Sequence, residues 1–261
     1  MKRTHPALTG FAILTFAFLV LPLVIILGAA LSNTSFLTFP PQGLTLKWFA
    51  RVFEIGAFRR TMGTSFMLAF GGTALSLLIG IPAAYAIARY RVQLPRLLPN
   101  VFVLPILVPE IVLGFSLMKS VATGLSLPII LALLIGHALL VLPYCVRVAG
   151  ASLAQFDFSV EEAAVSLGCP RWKAFFTVVL PNIKAGVIAA FILAFITSLN
   201  DVSISIFLTG PGISTLPIQM LAHMEQFFDP VIASVSVLLM FVTVAVMAVV
   251  ELTLGLTFLT K

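Results

Sequence analysis

Ser159-Val160-Glu161-Glu162-Ala163-Ala164-Val165-Ser166-Leu167-Gly168 is a polar run in a chain that is otherwise close to lipid-soluble. Such a run must act in water. Ser159 suits an N-cap, and Glu162 three positions later completes a capping box. Glu161 and Glu162 put negative charge at the positive end of the helix dipole. Gly168 suits a left-handed C-cap, and Pro170 the first turn of a following helix. That second segment, Arg171 to Leu180, carries Trp172, Phe175 and Phe176 beside two cations, and Pro181 stops it. The remaining informative charges are acids within apolar stretches, where they are costly and face a cavity or a partner. Glu110 is one; Asp201, flanked by Ser198, Asn200, Ser203 and Ser205, is another; Glu225 and Asp229 follow. Four acids without an evident basic partner at that depth favour a cationic solute. The competing reading bonds Glu110 and Asp201 to backbone groups freed by nearby prolines.

Other chemistry is missing. His5, His137 and His223 lie far apart and show no metal-ligand spacing. His137, alone in an apolar stretch, is read as a packing or hydrogen-bonding residue. Gly71-Gly72 and Gly210-Pro211-Gly212 are not phosphate loops, because no Gly-Lys-Ser/Thr follows. A P-loop site for ATP is therefore excluded, and an ATP-driven process would need its motor on another polypeptide.

The elements that hold these residues are membrane spans. Of 261 residues, 61% are hydrophobic and 9% charged, too few charges to cover a soluble domain. Six apolar stretches, near 9–31, 62–88, 98–120, 127–149, 185–208 and 231–257, each approach the ~20 residues a bilayer requires. The expected class is all-α and polytopic, one membrane domain over 1–261, because strand alternation is absent. Prolines and glycines within the spans, including Pro22, Pro82, Pro105, Pro109 and Pro143, suit a packed, moving bundle. Leu44 to Phe58 mixes apolar and charged residues as a surface-lying helix does, with Trp48 at headgroup level.

Basic residues orient the chain. With the N-terminus inside, Lys2, Arg3, Arg89, Arg91, Arg96, Arg147, Arg171, Lys173, Lys184 and Lys261 fall on the cytoplasmic side. Lys47, Arg51, Arg59, Arg60 and Lys119 fall outside, ten against five. Both termini and the polar loop 155–181 are then cytoplasmic. The net charge of +6 anchors headgroups; nucleic-acid binding is not expected. The first stretch reads as an uncleaved helix, since it runs to Leu31 without a convincing small-x-small site. Cys145 and Cys169 read as unpaired packing cysteines in a reducing compartment.

Glu162-Ala163-Ala164, three residues, Gly168, nine residues, Val178, one residue, then Leu180-Pro181 resembles the EAA loop of ABC importer permeases. Val178 stands where that pattern has Ile. Further stretches resemble the spermidine/putrescine branch: Pro40 to Phe49, Pro109-Glu110-Ile111-Val112-Leu113, Asn200-Asp201-Val202, Leu208 to Gly212 and Leu216-Pro217. Asn200-Asp201 departs from the branch's acidic pair by one charge.

The resemblance implies a type I importer fold of six helices in the bacterial inner membrane. It implies a second permease, two ATPase subunits that bind the ATP, and a periplasmic solute-binding protein. The chain would need no cofactor or metal of its own and would catalyse no covalent step. Glu161, Glu162, Ala163, Ala164, Gly168, Leu180 and Pro181 would couple to the ATPase, with Trp172, Phe175 and Phe176 bracing the loop against the membrane helices. Glu110, Asn200, Asp201 and Ser203 would line the path of a small cationic amino compound such as a polyamine. Aminoethylphosphonate, opines and other amino compounds are the alternative cargo. An ion-coupled secondary transporter using Glu110 and Asp201 is the alternative machinery; it leaves the loop pattern unexplained.

Overall fold

The computed structural model describes residues 6–90 and 101–254. Both chain ends, Arg91, Arg96, the start of the stretch expected from 98 and the end of that expected to reach 257 lie outside the described residues. The elements in order are α1 (Pro6–Leu31), α2 (Lys47–Glu54), α3 (Gly56–Arg89), α4 (Glu110–Leu117) and α5 (Ile129–Leu153). Then follow α6 (Ser159–Ser166), α7 (Arg171–Asn182), α8 (Lys184–Leu199), α9 (Leu216–Gln226) and α10 (Val231–Leu254). Among the described residues extended pairing is confined to two isolated bridges, Ser32 with Leu44 and Gly210 with Ile213. The protein is all-α.

Among the described residues four helices are long and apolar enough to cross a membrane: Ala7–Leu31, Gly56–Arg89, Ile129–Leu153 and Val231–Val249. A fifth span exists if α7 and α8, which meet at a 75° bend, count together. The described helices depart from two of the six expected stretches. In the third stretch, Leu104–Leu107 is a tight turn and α4 starts only at Glu110. Pro109 is the cause: Val108 before it is extended at φ −86°, ψ 127°, as the ring of a following proline demands. The fifth stretch was expected to run to 208, but α8 ends at Leu199. Asp201 ends it by taking backbone N–H groups that a continuing helix would have used, the usual competition from a short acidic side chain.

Contacts group the chain into two compact units, Met1–Arg60 with Gln219–Val244, and Thr61–Ile218 with Ala245–Lys261. In the first, Ala29 and Ala30 of α1 pack on Ala233 and Val237 of α10, with Ile26 and Phe49 alongside. The surface helix expected over 44–58 is shorter, Lys47–Glu54, because Gly56 already begins α3. The Trp48 Nε1–H donates to the Ser32 carbonyl at 2.8 Å, and Lys47 Nζ lies 4.9 Å from the Trp48 ring centre. His223 bonds Asp229 at 3.1 Å, and the same Asp229 oxygen accepts the Val231 N–H that opens α10.

In the second unit α5 packs along α8 around a core of Leu68, Leu117, Leu133, Val141, Cys145 and Ala194. A separate cluster of Ala84, Val146, Ala149, Leu153, Val179 and Ile183 binds the end of α3 to α5 and to the α7–α8 bend. Phe70, Phe191 and Phe195 stack between α3 and α8, with Phe70 and Phe195 centroids 4.7 Å apart.

Candidate functional site

The loop between α5 and α8 is two short helices with defined ends. Its first cap differs from expectation. Ser159 is the first residue of α6 and makes no capping bond; Asp157 Oδ1 accepts the Ser159 N–H at 2.9 Å. That bond, supplemented by the Ser159 hydroxyl, holds the Asp157 carboxyl below the usual carboxylate range. Glu162 does not reach back to complete a capping box. It pairs with Arg89 Nη2 at 2.8 Å instead. Gly168 sits at φ +92°, where its N–H bonds the Val165 carbonyl and the Cys169 N–H bonds that of Ala164. This is the Schellman arrangement expected of Gly168. Pro170 then precedes Arg171, the first residue of α7.

The two glutamates have different surroundings. Glu161 is buried, 2% exposed; it accepts the Tyr85 hydroxyl through Oε1 and lies 3.5 Å from Arg89 Nε through Oε2. Glu162 is exposed apart from its Arg89 bond. Ala163 is exposed and Ala164 half-buried. Leu180 packs against the cluster around Val179 and Ile183, while Pro181 is exposed just before the bend. Of the three aromatics expected to brace the loop, only Phe175 does so, 4.9 Å from the Tyr85 ring. Trp172 and Phe176 stand 69% and 59% exposed, with Leu167 at 89%. The loop therefore presents apolar side chains outward, from a base fixed by Tyr85 and Arg89. Sequence reasoning missed both of these anchors. Their spacing of four, which puts them on one helix face, was the available signal.

The acids expected to line a path are placed unequally. The Asp201 carboxylate is buried and both its oxygens are used: Oδ1 accepts the Ile204 N–H at 3.2 Å, Oδ2 the Ser205 N–H at 2.9 Å and hydroxyl at 2.7 Å. His137 supplies the neighbour that the sequence did not reveal. Its Nε2 lies 3.9 Å from Asp201 Oδ2 and 3.2 Å from Ser205 Oγ, and its Nδ1 is 2.7 Å from Ser198 Oγ. One imidazole thus bridges the last turn of α8 and the turn after the break. Asn200 is exposed and bonds back to the Ile196 carbonyl, and Ser203 is half-buried. Glu110 is exposed at the first position of α4, favourable for the helix dipole. One turn on, Gly114 lets Ile204 approach so closely that a Cβ there would meet its Cα at 2.9 Å. The structure thus brings α4 against the Asp201 segment, with Glu110 one turn from that contact. Among the described residues no group of three His, Cys, Asp or Glu side chains converges as metal ligands do.

Apolar spans, helices broken where polar side chains hold the backbone, and a short helix pair between two of them define a class, the helical membrane proteins. Within it the family is shown: residues 76–256 match the family described as binding-protein-dependent transport system inner membrane component, and the chain belongs to it. Relatives include the Putrescine transport system permease protein PotI of Escherichia coli K12, 26% identical over 87% of this chain and 83% of that protein. The Spermidine/putrescine transport system permease protein PotC of the same strain is 26% identical over 88% and 87%. The Sulfoquinovosyl glycerol transport system permease protein SmoH of Agrobacterium fabrum is 32% identical over 74% and 68%. Among solved structures, a bacterial ABC transporter that imports the acidic polysaccharide alginate superposes with TM-score 0.71 at 17% identity, over 96% of this chain and 99% of that one. The fold is that of the membrane subunits of ABC importers.

Proposed function

We propose that this chain forms half of the translocation path of an ABC importer for a small cationic amino compound of the polyamine type. A second permease completes the path, two separate ATPase subunits supply the drive, and a periplasmic binding protein delivers the solute. The observation that carries this reading is the loop 155–181, a capped helix pair with an EAA-type pattern that exposes Leu167, Trp172 and Phe176. Large apolar side chains exposed on a loop that is otherwise polar suit a contact surface. The ATPase is the partner that a water-facing surface between membrane helices would serve. The substrate class rests on the PotI and PotC likeness across most of the chain. The exposed Glu110 and Asn200 and the half-buried Ser203 are assigned to the path, and Asp201 to holding its wall.

Reconstitution with the cognate ATPase, second permease and binding protein tests the proposal. Radiolabelled putrescine or spermidine should accumulate in vesicles only with ATP and binding protein present. Because SmoH shares 32% identity, a sugar derivative belongs in the same panel. Uptake of that compound and of neither polyamine would keep the machinery and replace the cargo.

A further inference from the structure

We infer that Arg89 is the positioning residue that ties the movement of the 155–181 loop to α3. The inference rests on the reading of that loop as the ATPase contact. Arg89 is the last residue of α3, a helix of 34 residues. Its guanidinium grips both glutamates of the loop, Glu162 Oε1 at 2.8 Å from Nη2 and Glu161 Oε2 at 3.5 Å from Nε. It also lies 5.4 Å from the Phe158 ring centre, at the entrance to α6. Tyr85, one turn earlier, donates its hydroxyl to the other Glu161 oxygen and packs its ring on Phe175 of α7. Both loop helices are thereby fixed to the same end of α3.

The chemistry suits transmission. The Glu161 side chain is 3% exposed and that of Arg89 24%, so their ionic contact is sheltered from the screening that weakens surface pairs. Arginine suits this place because its planar fork reaches the two carboxylates from separate nitrogens, Nε and Nη2, whereas a lysine would bring a single ammonium to both. Glu162 uses one oxygen toward Arg89 and is 59% exposed. A partner group that draws on Glu162 therefore pulls on Arg89, and through it on α3, by bonded contacts.

Arg89→Gln, measured in the complete reconstituted importer, should leave the ATPase associated but lower solute taken up per ATP hydrolysed about tenfold, equivalent to about 1.4 kcal/mol of coupling. Arg89→Lys should recover part of the ratio, and Tyr85→Phe should lower it less than Arg89→Gln. Because Arg89→Gln strands a buried carboxylate and can impair folding, the double variant Arg89→Gln/Glu161→Gln removes that charge. It should assemble in normal amount and remain uncoupled. A normal uptake-to-hydrolysis ratio in the double variant, or in Arg89→Gln itself, overturns the inference, since the arginine would then serve stability alone. Failure of the unmodified chain to associate with any ATPase would instead refute the reading of the loop on which the inference stands.

Discussion

A buried carboxylate must find donors, and at Asp201 it finds three within its own segment: the N–H groups of Ile204 and Ser205 and the Ser205 hydroxyl. Removing such an acceptor leaves buried donors unpaired, on the order of 1–3 kcal/mol. Asp201→Ala should therefore lower the thermal midpoint of the purified protein and the amount in the membrane. Uptake per molecule should stay within about twofold, well under the tenfold that 1.4 kcal/mol of transition-state loss would produce. Normal stability with a collapsed per-molecule rate would return Asp201 to the solute path. Asp157 gives a second test at this scale. Its depressed pKa means the ionised cap stabilises α6 above the unfolded value of about 3.9 and is lost as pH falls through the folded value. Hydrogen exchange in α6 should accelerate on acidification. Asp157→Asn, which caps without a charge, should flatten that dependence, and an unchanged pH profile would show that the cap is not Asp157. Residue types were readable in the sequence, but their partners were not. The neighbours His137 for Asp201 and Arg89 for Glu162 lie 64 and 73 positions away, a relation that only the packing of separate helices creates.

Among the elements, the loop shows how local rules and tertiary contacts divide the work. Gly168 was legible as a C-cap because only glycine holds φ +92° without strain. The two helices on either side of it were legible for the same local reasons. Ser159 and Glu162 fit a capping box in sequence, yet the charged bond to Arg89 replaces it, as tertiary interactions commonly override a weak local preference. Likewise Pro105 and Pro109 were seen as tolerated within a span, whereas Pro109 sets the start of α4. Apolar content marks lipid exposure over a stretch of chain but does not tell whether one helix or several pieces cross it. Gly168→Val should disturb the loop alone: a β-branched residue at positive φ strains the turn by ~1–2 kcal/mol or more. The expected result is normal insertion with lost ATPase stimulation. Loss of the whole protein from the membrane would mean the loop is needed for folding, and unimpaired stimulation would mean its geometry is not used in coupling.

For the whole molecule, spans and loop fix an order along the chain, while orientation follows from charge. The ten-to-five bias is the sequence argument for an inside α6–α7 loop and an outside α2. The proposed function requires the same assignment, because ATP is available only in the cytoplasm and the exposed Leu167, Trp172 and Phe176 are proposed to meet the ATPase there. Two positions test it: Gln42, which precedes α2, and Ser166, which ends α6. In a chain whose own free thiols, Cys145 and Cys169, are replaced by serine, Gln42→Cys should react with a membrane-impermeant maleimide once the outer membrane is permeabilised. Ser166→Cys should react only after the inner membrane is opened, and should then be protected by added ATPase. Reversed labelling would invert the topology and remove the loop from any contact with ATP-driven machinery. Correct labelling without protection would keep the topology and place the ATPase elsewhere.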